Sequence, residues 1–317
     1  MAKDDFNLSQ VSAMTEEEAR SYIESALWPG GPVCPHCGGK KAWKVKAARS
    51  GVFKCEYCHK EFSVTVGTVM HGSHIALRQW VIAFHMMTSS KKGASALQLQ
   101  RNLGLGSYKT AWHLAHRIRL SMNTKPIQAL LRGDVEVDET YVGGKPRNGS
   151  GNNPETLPTK NRRYRKTKKT PVLALVERNG NVVSKPVEHV DAKTLREAIK
   201  EVCHKDCCIM TDESKCYHGI EKDFAGGHEV VNHSKKEYKR GNASTNTVES
   251  YFALLKRGVH GIFHHVSKRH LHRYCDEFSF RWNYRKTTDG ERAFAAIQAS
   301  KAKRLSYKPL VGQFAQI

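Results

Sequence analysis

Three acidic side chains stand where apolar segments end, and together they could hold metal ions. Asp138 ends or interrupts a predicted strand, Asp212 follows a short apolar strand, and Glu249 lies on a helix that begins near Asn246. If folding brings the three carboxylates together, their repulsion raises their pKa values unless divalent cations neutralise them. Two Mg²⁺ or Mn²⁺ ions in such a cluster would support in-line phosphoryl transfer. The alternative is that Asp212 and Glu213 cap a helix and that Glu249 is a solvated residue.

A lysine is placed to act with these acids. Lys256 follows Glu249 by seven residues, which is two helical turns, so both side chains share one helix face. An ammonium group there could hold a phosphate of DNA beside the metal ions. The alternative is that Lys256 and its neighbour Arg257 are solvated surface charges.

Four cysteines have the spacing of a structural metal site. Cys34 and Cys37 form one Cys-x2-Cys pair, Cys55 and Cys58 form a second, and 17 residues separate the pairs. Four thiolates suit tetrahedral Zn²⁺ and leave no open position. A unit of about 35 residues needs such a metal because its apolar core is too small to fold alone. The alternatives are two disulfides or inert thiols.

The net charge predicts a polyanionic partner. The 317 residues include 52 Lys and Arg against 30 Asp and Glu, a formal net charge of +22, which favours nucleic acid. The basic segment 145–169, which is densest at 160–169, would grip DNA phosphates or is a solvated loop. An anionic membrane surface is the rival partner, but no apolar run approaches the ~18 residues of a membrane span. The amino terminus lacks the apolar stretch of a secretory signal.

Two helices are predicted around the cysteine unit. Thr15 and Glu18 have the spacing of a capping box that opens a short helix. Apolar residues at helical spacing from Leu77 to Phe84 predict a second helix with one buried stripe.

Two further helices are typical of a DNA-binding motif. Segments 93–103 and 107–120, joined at Gly104-Leu105-Gly106, have the pattern of a helix-turn-helix, whose second helix enters the major groove. The alternative is an ordinary helical hairpin. The groups that the second helix would present to DNA are Lys109, His113, His116, Arg117 and Arg119.

From residue 134 onward the pattern alternates between strands and helices. A hairpin turn is predicted at Asn179-Gly180-Asn181, a helix capped by Asp191 follows, and another helix is expected after Asp212. This order predicts an α/β layered domain with a sheet of about five strands. The strands are predicted at 135–142, 171–176, 182–190, 208–210 and 228–231.

The acids and their surroundings resemble a known family. Asp138, Asp212 and Glu249, followed by Lys256, resemble the DDE(K) signature of insertion-sequence transposases with a ribonuclease-H-like core. The ISXO-like, zinc-ribbon-bearing bacterial group is the one that the sequence resembles, and the likeness extends from about residue 20 to residue 310. The segments that carry it, besides the cysteine unit, are 137–145, 246–258, 263–267 and 277–283.

This resemblance implies a fold class and a division of the chain. The fold class is α/β, with a ribonuclease-H-like catalytic core, an N-terminal zinc ribbon and a helical helix-turn-helix-like region. The implied domains are an N-terminal helix and zinc ribbon at 1–70, a helix-turn-helix-like DNA-binding region at 71–125, the DDE catalytic domain at 130–290 and a C-terminal tail at 291–317.

The resemblance also implies which residues are catalytic. Asp138, Asp212 and Glu249 would hold catalytic Mg²⁺ or Mn²⁺, Lys256 would assist them, and the four cysteines would hold structural Zn²⁺. Some relatives place Asn at the third acidic position, which makes Asn246 the alternative to Glu249.

The implied activity is DNA transposition. Such a protein binds the terminal inverted repeats of an insertion sequence, cleaves a strand and transfers it to target DNA. Its partners are double-stranded DNA and further copies of itself, with no membrane, in a bacterial cytoplasm at the nucleoid. Two alternatives remain open: a metal-dependent nuclease on the same core, and a non-catalytic DNA-binding regulator derived from a transposase.

Overall fold

The computed structural model describes residues 6–45, 50–123, 130–143, 169–235, 237 and 239–311. The chain divides into two compact units, the first comprising 1–127 and 276–317 and the second 128–275. Apart from Lys169, the basic segment 145–169 lies outside the described residues, so its contact with DNA stays a prediction.

The described elements are mostly short. The longest helix has 15 residues, and no described helix has the length and apolar character to cross a bilayer. In chain order the elements are α1 (Leu8–Ala13), α2 (Glu16–Leu27), β1 (Ala42–Lys44), β2 (Val52–Cys55), β3 (Glu61–Ser63), α3 (Leu77–Ser89), α4 (Ala96–Leu103), α5 (Tyr108–Met122), β4 (Asp134–Val142), β5 (Thr170–Glu177), β6 (Val182–Pro186), α6 (Ala192–Val202), β7 (Cys208–Asp212), β8 (His228–Val231), β9 (Lys239–Arg240), β10 (Ala243–Ser244), α7 (Asn246–Gly258), α8 (Leu271–Asn283), α9 (Asp289–Gln298) and α10 (Tyr307–Val311).

The first unit combines helices with the small antiparallel sheet β1-β2-β3. The Thr15 N–H donates to Glu18 Oε2 at 2.7 Å and the Glu18 N–H donates to Thr15 Oγ1 at 3.2 Å, so the predicted capping box of α2 is confirmed. Trp80 and Phe84 of α3 are fully buried, which confirms the predicted stripe. They belong to an apolar cluster that also contains residues of α1, α2, α4, α5 and α9.

The second unit is built on a five-stranded sheet with the strand order β6-β5-β4-β7-β8. The central strand β4 pairs antiparallel with β5 and parallel with β7, while β6 is antiparallel to β5 and β8 is parallel to β7. Asn179 has a φ of 61° in the turn between β5 and β6, which confirms the Asn-Gly hairpin. The predicted α/β unit with about five strands is confirmed.

A helix packs on each face of this sheet. Val135 and Val137 of β4 share a buried apolar cluster with Leu195 and Ile199 of α6. Between them in sequence, Glu136 accepts hydrogen bonds from backbone N–H groups in the first turn of α7. Because successive side chains of a strand point to opposite faces, α6 and α7 lie on opposite faces of the sheet.

The segment after Asp212 does not form the predicted helix. It makes two 3-10 turns, Lys215–Tyr217 and Ile220–Lys222, which flank Gly219. Gly219 has a φ of 81°, a left-handed conformation that ends a right-handed turn. Tyr217 and Ile220 are buried against the sheet, so packing and the glycine together override the helical pattern.

Candidate functional site

Asp138 and Asp212 lie side by side on neighbouring strands. The parallel register pairs Glu136 of β4 with Met210 of β7, so two residues further along Asp138 comes level with Asp212. Equal steps along two paired strands keep both side chains on one face of the sheet. Both residues are partly exposed. The sheet therefore brings two of the three predicted carboxylates together.

The third predicted carboxylate is carried by α7, which packs against β4 and β5. Glu249 lies in the first part of α7, and its Oε1 accepts a hydrogen bond from the Thr245 hydroxyl at 3.2 Å. Burial, together with the negative charges of Glu139, Asp212 and Glu249, raises the pKa of Asp138 to about 7. Asp138, Asp212 and Glu249 thus form one electrostatic cluster, here named the acidic site.

Within the described ranges, the acidic site is wider than the coordination shell of a single ion. Among those residues, only four thiols form a group of three or more possible metal ligands whose atoms all lie within 4.8 Å of one another. Mg²⁺ is usually held by one or two carboxylates together with waters and substrate oxygens. A Mg²⁺ site of this kind needs no compact set of three protein ligands, and the catalytic metal site stays a prediction.

Glu139 faces the other side of β4, as strand alternation predicts. Its carboxylate accepts a hydrogen bond from the hydroxyl of Tyr217, which is buried in the apolar cluster beneath α6. Burial raises the pKa of Glu139, the Tyr217 hydrogen bond lowers it, and the charge of Asp212 raises it. Glu139 therefore adds negative charge near the acidic site without joining its face.

A buried carboxylate that the sequence did not single out attaches α7 to β4. Glu136 is 0% exposed. Its Oε2 accepts hydrogen bonds from the N–H groups of Thr247 and Val248 at 2.7 and 3.1 Å. Its Oε1 accepts from the Thr247 hydroxyl at 2.9 Å and from Arg178 Nη2 at 3.2 Å.

This attachment positions the acidic site. Glu136 and Asp138 are two residues apart and lie on the same face of β4. Glu136 therefore places the helix that carries Glu249 over the strand that carries Asp138. The available sequence signal was a charged residue inside an otherwise apolar strand, which is rare unless the charge is paired.

The other predicted residues of this site also lie on α7. Lys256 is exposed near the C-terminal end of the helix and shares a face with Glu249. Asn246 is the first residue of α7 and is exposed; its backbone N–H donates to Ser244 Oγ at 3.3 Å. Because Asn246 and Glu249 are one turn apart, both stay candidates for the third ligand, and the role of Lys256 stays a prediction.

The Sγ atoms of the four cysteines in the first unit all lie within 4.8 Å of one another. The Sγ atoms of Cys34 and Cys58 are 3.6 Å apart, and those of Cys37 and Cys55 are 3.5 Å apart. Four thiolates at ~2.3 Å from a tetrahedral Zn²⁺ stand about 3.8 Å from one another, whereas disulfide sulfurs stand about 2.05 Å apart. All four are free thiols, so the cluster fits zinc and the disulfide alternative is excluded.

Matching turns follow the two cysteine pairs. Gly38 and His59, each directly after the second cysteine of its pair, have φ angles of 76° and 56°. The Gly38 N–H donates to the Cys34 carbonyl at 2.9 Å, and the His59 N–H donates to the Cys55 carbonyl at 3.1 Å. The backbone N–H of Cys58 lowers the pKa of Cys55 to about 7, which favours the thiolate that a metal binds. Each cysteine pair is therefore followed by a tight turn, which uses glycine in the first pair and histidine in the second.

The pair α4 and α5 has the predicted glycine turn. Gly104 ends α4 with a φ of 62°, and Ser107 caps α5 by accepting the Thr110 N–H at 3.1 Å. In the first turn of α5, Lys109 is exposed and Tyr108 is 54% exposed. The first residues of the second helix are those that contact bases in a helix-turn-helix, so this interpretation retains an accessible surface.

Three basic residues that were predicted to face DNA are instead buried in the first unit. His116, Arg117 and Arg119 are 0%, 5% and 2% exposed. Arg119 Nε donates to Glu277 Oε2 at 2.7 Å, and Arg117 Nη2 donates to the His71 carbonyl at 2.6 Å. The prediction that these three side chains project from α5 into the major groove is wrong because α5 packs against α3, α4 and α9, which leaves its first turn as the part that reaches solvent.

Comparisons with known proteins find domains and proteins that are described as parts of transposases, transposable elements or a transpososome. A domain family described as the ISXO2-like transposase domain matches residues 130–283, and one described as the transposase zinc-ribbon domain matches residues 14–61. An uncharacterized protein in transposable element ISH50 of Halobacterium salinarum is 27% identical over 275 residues, which cover 84% of this chain and 91% of that protein. A chain of a pre-cleavage Mos1 transpososome is 12% identical, with 92% of this chain and 94% of that chain covered, at a TM-score of 0.29. A TM-score this low does not establish a shared fold.

Proposed function

This chain belongs to the family of ISXO2-like transposases with a zinc ribbon, and from that premise we propose that it is the DNA transposase of an insertion sequence. It binds the terminal inverted repeats of the element, cuts a DNA strand at each end and joins that strand to target DNA. The observation that carries the proposal is the acidic site, in which Asp138 and Asp212 lie on adjacent parallel strands within the field of Glu249.

The sheet supports a ribonuclease-H-like core. Its strand order β6-β5-β4-β7-β8 places the hairpin β5-β6 on one side of β4, with β5 antiparallel to β4, and places β7 and β8, both parallel to β4, on the other side. Asp138 lies on the central strand and Asp212 on the neighbouring parallel strand, which agrees with the ribonuclease-H-like core that the resemblance implies.

The acidic site fits divalent cations. A carboxyl whose pKa is raised to about 7 by burial and by neighbouring acids regains its charge when a cation neutralises the cluster. Asp138, Asp212 and Glu249 would hold Mg²⁺ or Mn²⁺, with Asn246 as the alternative third ligand. Such ions supply Lewis acidity to a scissile phosphodiester and charge stabilisation to its attacking and leaving oxygens.

The reaction consists of two phosphoryl transfers. In the first, the oxygen of water bonds to phosphorus, the bond from phosphorus to the 3′ oxygen breaks, and that oxygen takes up a proton to give a 3′-hydroxyl. In the second, the oxygen of this hydroxyl loses its proton and bonds to a target phosphorus, whose own 3′ oxygen leaves and is protonated. Each step forms one P–O bond and breaks one, so no external energy source is needed. Lys256, on the exposed face of α7 that carries Glu249, holds a DNA phosphate beside the site.

The remaining parts of the chain serve DNA binding and assembly. The four thiols hold Zn²⁺, and the ribbon with the α4–α5 pair binds the inverted repeats. The net charge of +22 supplies phosphate contacts that hold DNA without reading its sequence. At least two copies act together because two transposon ends must be joined in one complex.

The proposal is tested with a supercoiled plasmid that carries the element's two ends, with Mg²⁺ or Mn²⁺. Asp138→Asn, Asp212→Asn and Glu249→Gln are each expected to reduce cleavage and strand transfer by ~10³-fold or more, because each removes a ligand of the catalytic cations. The matched control is Asp206→Asn, an exposed carboxylate of the same unit, which should behave as wild type. Cleavage that survives Asp138→Asn would contradict the assignment of the acidic site.

Two further comparisons refine the result. Comparing Asn246→Ala with Glu249→Gln identifies the third ligand of the catalytic cations, since that ligand is the residue whose loss abolishes cleavage. Supplying pre-cut ends separates strand transfer from cleavage. A protein that cleaves but never joins pre-cut ends is a nuclease, and one that binds ends without cleaving in either metal is a regulator; either result overturns the proposal.

A further inference from the structure

A basic cavity lies beside the first turn of α5 in the first unit. Its volume is about 310 Å³, and no acidic side chain belongs to its lining in the described part of the chain. Its polar lining includes side chains from α5 and α10 and from the segment before α3; these are His74, Lys109, Thr110, His113, Arg117 and Tyr307. This cavity is named the Arg117 pocket.

Arg117 is a buried cation without an acidic partner in the described structure. It is 5% exposed, and its Nη2 donates to the His71 carbonyl at 2.6 Å. Its guanidinium carbon lies 5.1 Å from the centre of the Trp80 ring, and its Nε is buried with no hydrogen-bond acceptor. Arg119, two residues further along α5, is equally buried but pairs with Glu277. The contrast shows that this unit pairs one buried arginine with an acid and leaves the other without an acidic partner among the described residues.

The surroundings of Arg117 add positive charge. Burial lowers the pKa of Arg117 to about 10, and the nearby Arg304 lowers it as well. Burial also lowers the pKa of His71, as do the charges of Arg304 and Arg117. A buried charge is costly unless it is paired and hydrogen-bonded. An anion in the cavity would remove that cost.

The position of the pocket indicates which anion. Lys109 is exposed in the first turn of α5, and its ammonium lies 4.4 Å from the centre of the Tyr307 ring, which fixes it at the cavity. The N-terminal end of α5 contributes the positive end of the helix dipole. The same turn is the accessible part of the helix-turn-helix pair, so a nucleic acid that met it would bring its backbone to the pocket.

We propose that the Arg117 pocket binds one phosphate group of the DNA backbone, with Arg117 as the buried anchor and Lys109 at its mouth. This inference rests on the proposed function, because it takes transposon-end DNA as the ligand. A contact of this kind fixes the register of the protein on the duplex and carries no base specificity itself.

The test measures binding of the full chain to transposon-end DNA without divalent metal, over a range of salt concentrations. Arg117→Met is expected to weaken binding roughly 10- to 100-fold, as for one lost charge-assisted contact, and to reduce the salt slope by about 1. Its melting temperature should change little, because removing a buried charge that has no acidic partner offsets the loss of the hydrogen bond to the His71 carbonyl. The control Lys92→Met removes one exposed charge from the same unit and should change binding far less.

Neutral methylphosphonates placed at single positions of the DNA identify the contact. One position should weaken wild-type binding strongly and have no effect on Arg117→Met, and Arg117→Lys should show a smaller effect at that same position. If Arg117→Met fails to fold, the Arg117→Lys comparison alone decides. The absence of any position that couples to residue 117 would overturn the inference.

Two outcomes separate this inference from the proposed function. If wild type binds transposon ends but Arg117→Met binds equally well, the pocket assignment fails and the function stands. If wild type does not bind such DNA, the proposed function fails first. Binding of free phosphate would appear as stabilisation of the wild type, but not of Arg117→Met, by inorganic phosphate at constant ionic strength. If the pocket binds free phosphate in this way and no DNA position couples to residue 117, the assignment to a DNA phosphate is overturned.

Discussion

The sharpest prediction concerns Glu136, which holds the acidic site together without belonging to it. Thr245 precedes α7 but makes no capping hydrogen bond, and its hydroxyl donates to Glu249 instead. The first turn of α7 is capped across the fold by Glu136, through the N–H groups of Thr247 and Val248. Substituting Glu136 therefore removes a helix cap and a tertiary contact at once.

The expected loss of stability can be worked out from the groups that lose Glu136 as their hydrogen-bond acceptor. Glu136→Gln keeps the shape of the side chain but replaces one acceptor oxygen by an NH2 group, which faces N–H donors. It also removes the negative charge opposite Arg178, whose Nη2 lies 3.2 Å from Glu136 Oε1. Charge-assisted hydrogen bonds contribute about 1.5–3 kcal/mol each, and breaking a buried ion pair costs about 3–5 kcal/mol. We expect Glu136→Gln to lower the free energy of unfolding by about 3 kcal/mol, or the melting temperature by roughly 6–12 °C.

Two measurements test this prediction: hydrogen exchange at the first turn of α7 and DNA cleavage. Hydrogen exchange should show the amides of Thr247 and Val248 losing protection first, and cleavage should fall at least tenfold because Glu249 is no longer held over β4. The control Glu188→Gln alters an exposed carboxylate and should leave both readouts unchanged. Wild-type protection of these two amides in Glu136→Gln would refute the reasoning.

Three other predictions follow from the same structure. Native mass spectrometry should find one zinc ion per chain, and Cys37→Ser should lose it, because three thiols and a hydroxyl hold zinc far less tightly. His59→Val should weaken zinc binding about tenfold, since a β-branched residue at a φ of 56° costs about 1–2 kcal/mol, whereas His59→Gly should not weaken it. In urea titrations without divalent metal, the free energy of unfolding should fall by up to about 4 kcal/mol from pH 4 to pH 7. In that range the folded protein keeps a proton on Asp138, whose pKa is about 7, and the unfolded chain does not; Asp138→Asn should abolish this part of the slope.

Features set by neighbouring residues could be predicted from the sequence. The capping box of α2, the Asn-Gly hairpin, the Asp191 cap of α6 and the strand content of the second unit depend on spacings of a few residues. The four-cysteine cluster belongs here too, because Cys-x2-Cys spacing determines each turn locally. Such features survive in any tertiary context that does not oppose them.

Features set by distant partners could not be predicted. From the sequence alone, Arg119 is predicted to face DNA. Its partner Glu277 lies 158 residues away along the chain, so the sequence does not show that the two side chains pair. Glu136 has the appearance of an anomaly in a strand until the first turn of α7 is placed against it. The helix expected after Asp212 is absent because Tyr217 is buried beneath the sheet. In each case the deciding contact joins segments whose relation the sequence does not state.

Buried charge separates structural from ligand-binding roles in this protein. Glu136 and Arg119 are buried beside partners of opposite character, and their contacts hold α7 and α5 in place. Asp138 is half-buried among other acids, and Arg117 is buried near Arg304 without an acid among the described residues. The first pair is complete in the free protein, whereas the second pair carries an electrostatic cost that folding alone does not remove. On the proposals made above, a ligand of opposite charge would remove that cost in both cases: a divalent cation at Asp138 and a phosphate at Arg117.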